Sequence, residues 1–394
     1  MTERDVVIVD AVRSPVGKRN GELSTMQSIN LLGDVQKALF DRTGMDPTEV
    51  GQVLGGCVGQ VGMQTMNVAR NAWLAAGLPL EVGATTMDNQ CGSSQQATSL
   101  AYSMIKAGVV DVAVSCGVEV MSKVKMGATI PKDPDVGVPV NKRYWEHYEW
   151  TSQFEGAERI AEQWGITRGD TDGLGLRSQQ LAAKAWAEDA FATQIVPIEA
   201  PIFDEEGNDT GQTRTVTRDG GLRDTTLEGL GKLKAVGRDN AVHTAGSASQ
   251  ISDGAGAILL MTSDKAAQLG LSPMARIVDV CNVGSDPVLM LTGPIFATRK
   301  LLADNGLSMS DIDLVEINEA FASVVLAWEK ELGPNMAGVN PNGGAIALGH
   351  PLGATGSILI TKAVHELQRS GREYAIVTMC CGGGLGTGTL IQRL

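Results

Sequence analysis

The sequence predicts an α/β protein of two similar halves with an insertion between them, and three observations carry that expectation. First, two strand-like starts, Val7-Ile8-Val9-Asp10-Ala11 and Arg276-Ile277-Val278-Asp279-Val280, each run through an amphipathic stretch into an acidic, Gly-containing turn. The turns read Asp41-Arg42-Thr43-Gly44 in one copy and Asp304-Asn305-Gly306 in the other. Second, each copy later carries a helix-like stretch ending at Gly108 or Gly371, followed by a short apolar run, Val110 to Cys116 or Tyr374 to Met379. Gly after a helix suits a left-handed cap that a Cβ would strain. A β-branched apolar run suits a strand covered on both faces. Third, the texture changes between the copies, over about 121–250. Strand–helix alternation argues for α/β halves, and its recurrence argues for an internal duplication.

The intervening stretch opens on aromatics: Tyr144, Trp145, Tyr148, Trp150 and Phe154. Ala157, Ile160, Ala161 and Trp164 then recur at helical spacing, and a further helix is expected over about 171–189. Pro197 and a Gly207-Asn208-Asp209 turn lead into polar, strand-like sequence. Such a segment could leave the first half and return to the second, either binding substrate or merely covering surface. The expected domains are residues 1–120 with 246–270, an inserted loop domain 121–245, and 271–394.

Composition narrows the function classes. The chain has 394 residues, 43% hydrophobic and 20% charged, with 48 glycines in clusters rather than at a collagen period. Its longest apolar run, Ala255 to Met261, is far below the ~18 residues of a membrane span. A net charge of −13 without a basic stripe makes nucleic acid a poor partner. Strand-like sequence begins at Val6 and the chain ends Ile391-Gln392-Arg393-Leu394, matching no leader, peroxisomal or prenyl signal, so a cytoplasmic protein is expected. Six cysteines without a C-x-x-C pair suggest neither a disulfide framework nor zinc, and no metal is expected. The histidines are only four: 147, 243, 350 and 365.

Four clusters carry candidate chemistry. Asp88-Asn89-Gln90-Cys91-Gly92-Ser93-Ser94 precedes a helix-like face, so Cys91 sits where the positive end of a helix dipole favours a thiolate. A buried structural cysteine fits the same residues. Gly343 to Gly356 cages one imidazole, His350, among glycines that permit close backbone approach. Glu316-Ile317-Asn318-Glu319-Ala320-Phe321 places polar side chains at the end of an apolar strand. Met379-Cys380-Cys381-Gly382-Gly383-Gly384 leaves a thiol and free N–H groups after another strand. No Gly cluster opens a helix in the dinucleotide register, and no G-K-[ST] is present.

Taken together and in this order, the clusters resemble the thiolase family over essentially the whole chain. The nucleophile loop with Asn89, Cys91 and Ser93, the N-E-A-F motif at Asn318 to Phe321, G-H-P at Gly349 to Pro351 with its following Thr355-Gly356, and C-x-G-G-G at Cys380 to Gly384 carry the likeness. Gly17-Lys18-Arg19-Asn20, Gln153 to Arg159 and Gln250 to Gly254 are most similar to actinobacterial steroid 3-ketoacyl-CoA thiolases. The resemblance implies a duplicated, five-layered α/β/α/β/α thiolase fold with an inserted loop domain, and a homodimer or homotetramer. It implies thiolytic cleavage of 3-ketoacyl-CoA to acetyl-CoA and a shortened acyl-CoA, with no permanently bound cofactor and coenzyme A as co-substrate. Acetyl-CoA C-acetyltransferase activity on short chains is the alternative.

Residue by residue, the resemblance implies Cys91 as nucleophile, His350 as its base and Cys380 as the acid/base toward the acetyl-CoA carbanion, given a pKa near the working pH. It implies Asn318 holding a water, Gly382 as an oxyanion donor with Cys91, Arg223 at the coenzyme A phosphates and Ser249 at pantetheine. Two departures matter. Ser94 replaces a glycine, and its Cβ is expected to crowd the nucleophile turn. Thr151-Ser152-Gln153-Phe154 stands where short-chain enzymes carry His-Met, so a bulkier acyl group is expected, walled by the neighbouring aromatics, unless these pack the loop domain's own core.

Overall fold

Strand β1 (Val6–Arg13) divides its apolar side chains by alternation: Val6 and Ile8 face one layer, Val7 and Val9 the other. The computed structural model that displays this describes residues 4–394. A short β2 (Gly17–Lys18) follows, then α1 (Ser28–Thr43), which stops at Gly44 with φ 69°. Next come β3 (Gln52–Gly56), α2 (Val68–Ala75), β4 (Gly83–Met87), α3 (Ser93–Lys106) and β5 (Val112–Val120).

The insertion then supplies α4 (Lys142–Trp145), α5 (Gln153–Gln163), α6 (Arg168–Ala187), a hairpin of β6 (Ile198–Phe203) and β7 (Asp209–Val216), and α7 (Leu227–Gly231). Helix α6 starts behind a reciprocal cap between Thr167 and Asp170. Strand β8 (Ser252–Thr262), buried along its length, returns to the first half, and α8 (Ser263–Gln268) leads on. The second half runs β9 (Ala275–Gly284), α9 (Gly293–Asp304), β10 (Leu314–Ile317), α10 (Ala322–Leu332), α11 (Ala345–Leu348), α12 (Thr355–Ser370), β11 (Tyr374–Cys381) and β12 (Leu385–Arg393).

Pairing exposes the duplication. The first half is ordered β4-β3-β5-β8-β1, the second β10-β11-β12-β9. In each, the inner connections through helices are parallel and the last two strands antiparallel. A single parallel bridge from Val315 to Val339 marks the position that β4 fills in the first half. The halves meet where Val7 and Ile8 of β1 pair with Arg276 and Ala275 of β9.

The layers follow from which face each side chain takes. Helices α1 and α2 cover the outer face of the first half, with Leu31, Val35, Leu39 and Trp73 against Val7 and Val9. Helices α9 and α10 cover the second, with Leu301 and Trp328 against Ile317 and Ile376. Between the sheets lie α3 and α12: Ala97, Ala101 and Ile105, with Ile360, Ala363, Val364 and Leu367, pack on strands of both halves. This is the expected five-layered order. Each fully buried Ile, Leu or Val contributes ~1.5–3 kcal/mol, so the shared central layer ties the stability of one half to the other. The N-termini of the two central helices also converge, and the loops entering them carry Cys91 and His350.

Candidate active site

Polar side chains shape the loop that delivers Cys91. Asp88 Oδ1 accepts the Gln90 N–H at 2.7 Å, while Ser93 Oγ accepts the Asn89 N–H at 2.9 Å and donates to the Gln90 carbonyl at 2.5 Å. This pinning holds Gln90 at φ 52°, a left-handed conformation costing a non-Gly residue roughly 1–2 kcal/mol. Gly92 caps α3, and Cys91 stands just before it. N–H groups of Gly382 and of Cys91 itself favour the thiolate. Burial outweighs them and pushes the thiol up to about 11. The thiolate expected from the helix dipole is therefore not the resting form; desolvation is the larger effect.

His350 is buried, and its tautomer follows from its neighbours. Thr355 Oγ1 donates to the Pro351 carbonyl at 2.8 Å and lies 2.6 Å from His350 Nδ1, so Nδ1 carries the proton and Nε2 is the acceptor. Asn318 Nδ2 donates to that Nε2 at 3.3 Å, and Ser252 Oγ accepts the His350 N–H at 3.1 Å. Burial holds the imidazole down at about 4, hence neutral near pH 7. Asn318 Oδ1 is buried and has no partner among the described residues. The adjacent Glu319 serves the scaffold instead. It accepts from Ser178 Oγ (2.6 Å), Asn340 Nδ2 (3.0 Å) and the Ile346 N–H (3.1 Å), pinning α6 to α11.

Strand alternation separates the paired cysteines. Cys380 packs with Met290, Ala320 and Phe321 on the insertion side; Cys381 joins the central layer under the nucleophile loop. A Cβ on Gly92 would come within 2.6 Å of Cys381 Sγ, so this close approach requires glycine. Burial first, then neighbouring Cys91, push the Cys380 thiol well above its ordinary value. A resting pKa near neutrality, expected for its role, is thus not what the site provides. After β11, Gly383 and Gly384 take φ 81° and 77°, turning the hairpin and directing the Gly382 N–H at Cys91.

Two groupings result: Cys91 with Gly382 and Cys380, and His350 with Asn318. Among the described residues no hydrogen bond joins Cys91 to His350; the imidazole is occupied by Thr355 and Asn318. The loops nevertheless abut, because Ser94 Oγ accepts the Ser357 N–H at 2.9 Å. The expected crowding by Ser94 does not arise: Gly117 faces it, where a Cβ would meet Ser94 Cβ at 2.6 Å.

Arg223 is exposed, makes no ion pair among the described residues, and donates its backbone N–H to Gln179 Oε1 at 2.9 Å. Half-buried Ser249 donates its N–H to the Ala320 carbonyl at 2.9 Å, beside the N-E-A-F segment. Of the aromatics over 144–154, Phe154 reaches that segment, its ring 5.3 Å from Phe321. Trp145 and Trp150 are 55% and 56% exposed, so they do not form a buried core of the insertion.

Sequence reasoning missed Thr355, Ser252 and Glu119. Glu119 is buried in β5 and accepts the N–H groups of Val58, Gly59 and Gly353, tying the His350 loop to the first half. A lone acid within the apolar run Val112 to Val120 was the available signal, since a buried carboxylate needs such donors. No group of three or more His, Cys, Asp or Glu among the described residues is placed to hold a metal, and no helix there is long and apolar enough to cross a membrane.

The fold and this pairing of loops define an acyl-transfer enzyme of the thiolase kind. The family profile described as "Thiolase, N-terminal domain" matches residues 6–264, and "Thiolase, C-terminal domain" matches 271–393; the chain belongs to the thiolase family. It is 44% identical to a steroid 3-ketoacyl-CoA thiolase of Mycobacterium tuberculosis, over 100% of this chain and 95% of the relative. It is 40% identical to the 3-oxoadipyl-CoA/3-oxo-5,6-dehydrosuberyl-CoA thiolase of Escherichia coli, over 99% of this chain and 100% of that protein. The crystal structure of the Bacillus anthracis acetyl-CoA acetyltransferase superposes with a TM-score of 0.89 at 38% identity, covering 100% and 99% of the two chains. As a thiolase, the chain is an acyltransferase with coenzyme A as co-substrate.

Proposed function

We propose that the protein cleaves a 3-ketoacyl-CoA by thiolysis, releasing acetyl-CoA and an acyl-CoA shortened by two carbons. The observation that carries this reading is Cys91, with the Gly382 N–H directed at its sulfur and Cys380 beside it. Cys91 passes its proton to His350 Nε2 as the sulfur attacks the ketone carbon. The N–H groups of Cys91 and Gly382 stabilise the oxyanion, each such donor being worth ~10²–10³ in turnover. The C2–C3 bond breaks, and Cys380 gives its proton to the departing acetyl-CoA carbanion. Incoming coenzyme A then loses its thiol proton to Cys380, its sulfur takes the acyl group, and Cys91 recovers its proton from His350.

High resting pKa values suit this cycle: the neutral thiols ionise only as bond making supplies the driving force. Asn318 Oδ1, buried without a partner among the described residues, is the atom left to fix a water at the thioester oxygen. Arg223, free of ion pairs among the described residues, would meet the coenzyme A phosphates, and Ser249 the pantetheine, with 121–245 as the binding domain. The absence of His-Met at Thr151 to Phe154 and the steroid-directed relative favour a bulky acyl group. We place the enzyme in the cytoplasm, where its six free cysteines stay reduced. A homodimer or homotetramer is supported by the open edge of β4 and the neighbouring exposed Met66 and Leu80.

The test is kcat/KM for acetoacetyl-CoA, a long straight-chain 3-ketoacyl-CoA and a steroid side-chain 3-ketoacyl-CoA, at one pH and one coenzyme A concentration. Each buried CH₂ is worth roughly 0.8 kcal/mol, so the bulkier substrates should lead by more than tenfold. Acetoacetyl-CoA coming out best would make the enzyme a short-chain acetyltransferase.

A further inference from the structure

We infer that Ser94 is a positioning residue that sets the imidazole of His350 against Cys91 by capping a helix of the opposite half. The inference rests on the roles proposed above for Cys91 and His350. Helix α12 begins without a side-chain cap of its own: its N-cap is Ala354. The missing acceptor comes from α3, where Ser94 Oγ receives the Ser357 N–H at 2.9 Å. Ser94 is fully buried and lies in the first turn after Cys91. Ser357 lies in the first turn of α12, two residues beyond Thr355, whose hydroxyl fixes His350 Nδ1. One hydroxyl therefore joins the turn that aims the sulfur to the turn that aims the imidazole, and no other side-chain hydrogen bond to the α12 N-terminus crosses from α3 among the described residues.

The surroundings make the hydroxyl specific. Gly117 faces Ser94 with no side chain, and Gly56 approaches its backbone so closely that a Cβ there would lie 2.3 Å from Ser94 N. Gly117 of β5 thus leaves space for the Ser94 side chain, and Gly56 of β3 lets its backbone approach. Removing only the oxygen leaves a methyl blocking the Ser357 N–H in a dry site. Removing the whole side chain opens room for a water, which can accept that N–H in its place.

The predicted ranking is therefore unusual. Ser94→Ala should acylate Cys91 from acetyl-CoA about tenfold more slowly than wild type in single turnover, because small displacements of reacting groups cost that much or more. KM should stay within about twofold. Ser94→Gly should stay within about threefold of wild type in acylation, although glycine is the poorer helix former and its melting temperature should be the lower of the two. Amide exchange of Ser357 should quicken in Ser94→Ala more than in Ser94→Gly. A purely structural role would instead rank Ser94→Gly below Ser94→Ala in both stability and acylation, and that result overturns the inference, as does wild-type acylation by Ser94→Ala. Should Ser94→Ala not fold, Ser94→Cys, whose sulfur is a weak acceptor, takes its place: about tenfold slower acylation with quicker Ser357 exchange supports the role, and wild-type acylation overturns it. Wild-type protein that is never acylated at Cys91 would instead remove the proposed function.

Discussion

At the residue scale, burial governs the ionisation of both members of the proposed acid–base pair, and the consequence for pH is one of sign. His350 is held at about 4 in the folded protein against 6.5 when exposed. Between those values the unfolded chain binds a proton that the folded one refuses, so this contribution to stability is complete above pH ~6.5 and is lost as pH falls toward 4. The shift corresponds to a loss on the order of 3 kcal/mol. Urea denaturation of wild type and His350→Gln between pH 4 and 7 should show the steeper acid loss in wild type; parallel curves would mean that the imidazole is not desolvated. The proposed roles separate the adjacent cysteines, which face different layers. Cys380→Ala should lose at least ~10² in thiolysis, as for removal of a general acid or base, yet still take an acetyl group on Cys91. Cys381→Ala should stay active and lose only about 1 kcal/mol of stability from the small cavity beneath Gly92. Equal activities of the two variants would contradict the assignment.

At the element scale, the insertion is attached to the site by a few contacts rather than by a broad aromatic wall. Phe154 of α5 meets Phe321 edge-on, and the His243 ring lies 5.5 Å from the same Phe321; Thr151 Oγ1 donates to the Val288 carbonyl at 2.7 Å. If Phe154 borders the acyl pocket, Phe154→Ala should reduce kcat/KM more than tenfold for the bulky substrates and only a few-fold for acetoacetyl-CoA. An equal loss across the three substrates would assign the ring to packing alone. The sequence was most legible where periodicity and punctuation coincide, as in α12 with its Gly371 stop, or the helix of Ala157, Ile160 and Ala161. It was least legible where geometry is tertiary. Nothing local says that Trp145 and Trp150 remain exposed while Phe154 turns inward, or that β4's counterpart shrinks to one bridge at Val339. Nor does the motif reveal that Asn318 turns to the imidazole while its neighbour Glu319 braces two helices. The candidate site residues could be named from their motifs, but their ionisation could not, because desolvation depends on what the rest of the chain stacks over them.

At the scale of the whole molecule, duplication explains why the site lies where it does. Each half sends one helix, α3 or α12, into the shared central layer, and the loop entering each helix carries one reactive group. Cys91 therefore comes from the first half, while His350, Asn318, Cys380 and the Gly382 donor come from the second. The insertion leaves between β5 and β8, so it is tethered to the first half yet packs, through α5 and α6, on α10 and α11 of the second. On the proposed mechanism chemistry requires both halves docked, and the covalent intermediate would be the most direct report of that docking. Incubation with acetyl-CoA, followed by digestion and mass spectrometry, should find a single acetyl group on the peptide containing Cys91, in wild type and in Cys380→Ala alike, and its release on adding coenzyme A to wild type. Acetylation at Cys380 or Cys381 in place of Cys91, or none at all, would contradict the account.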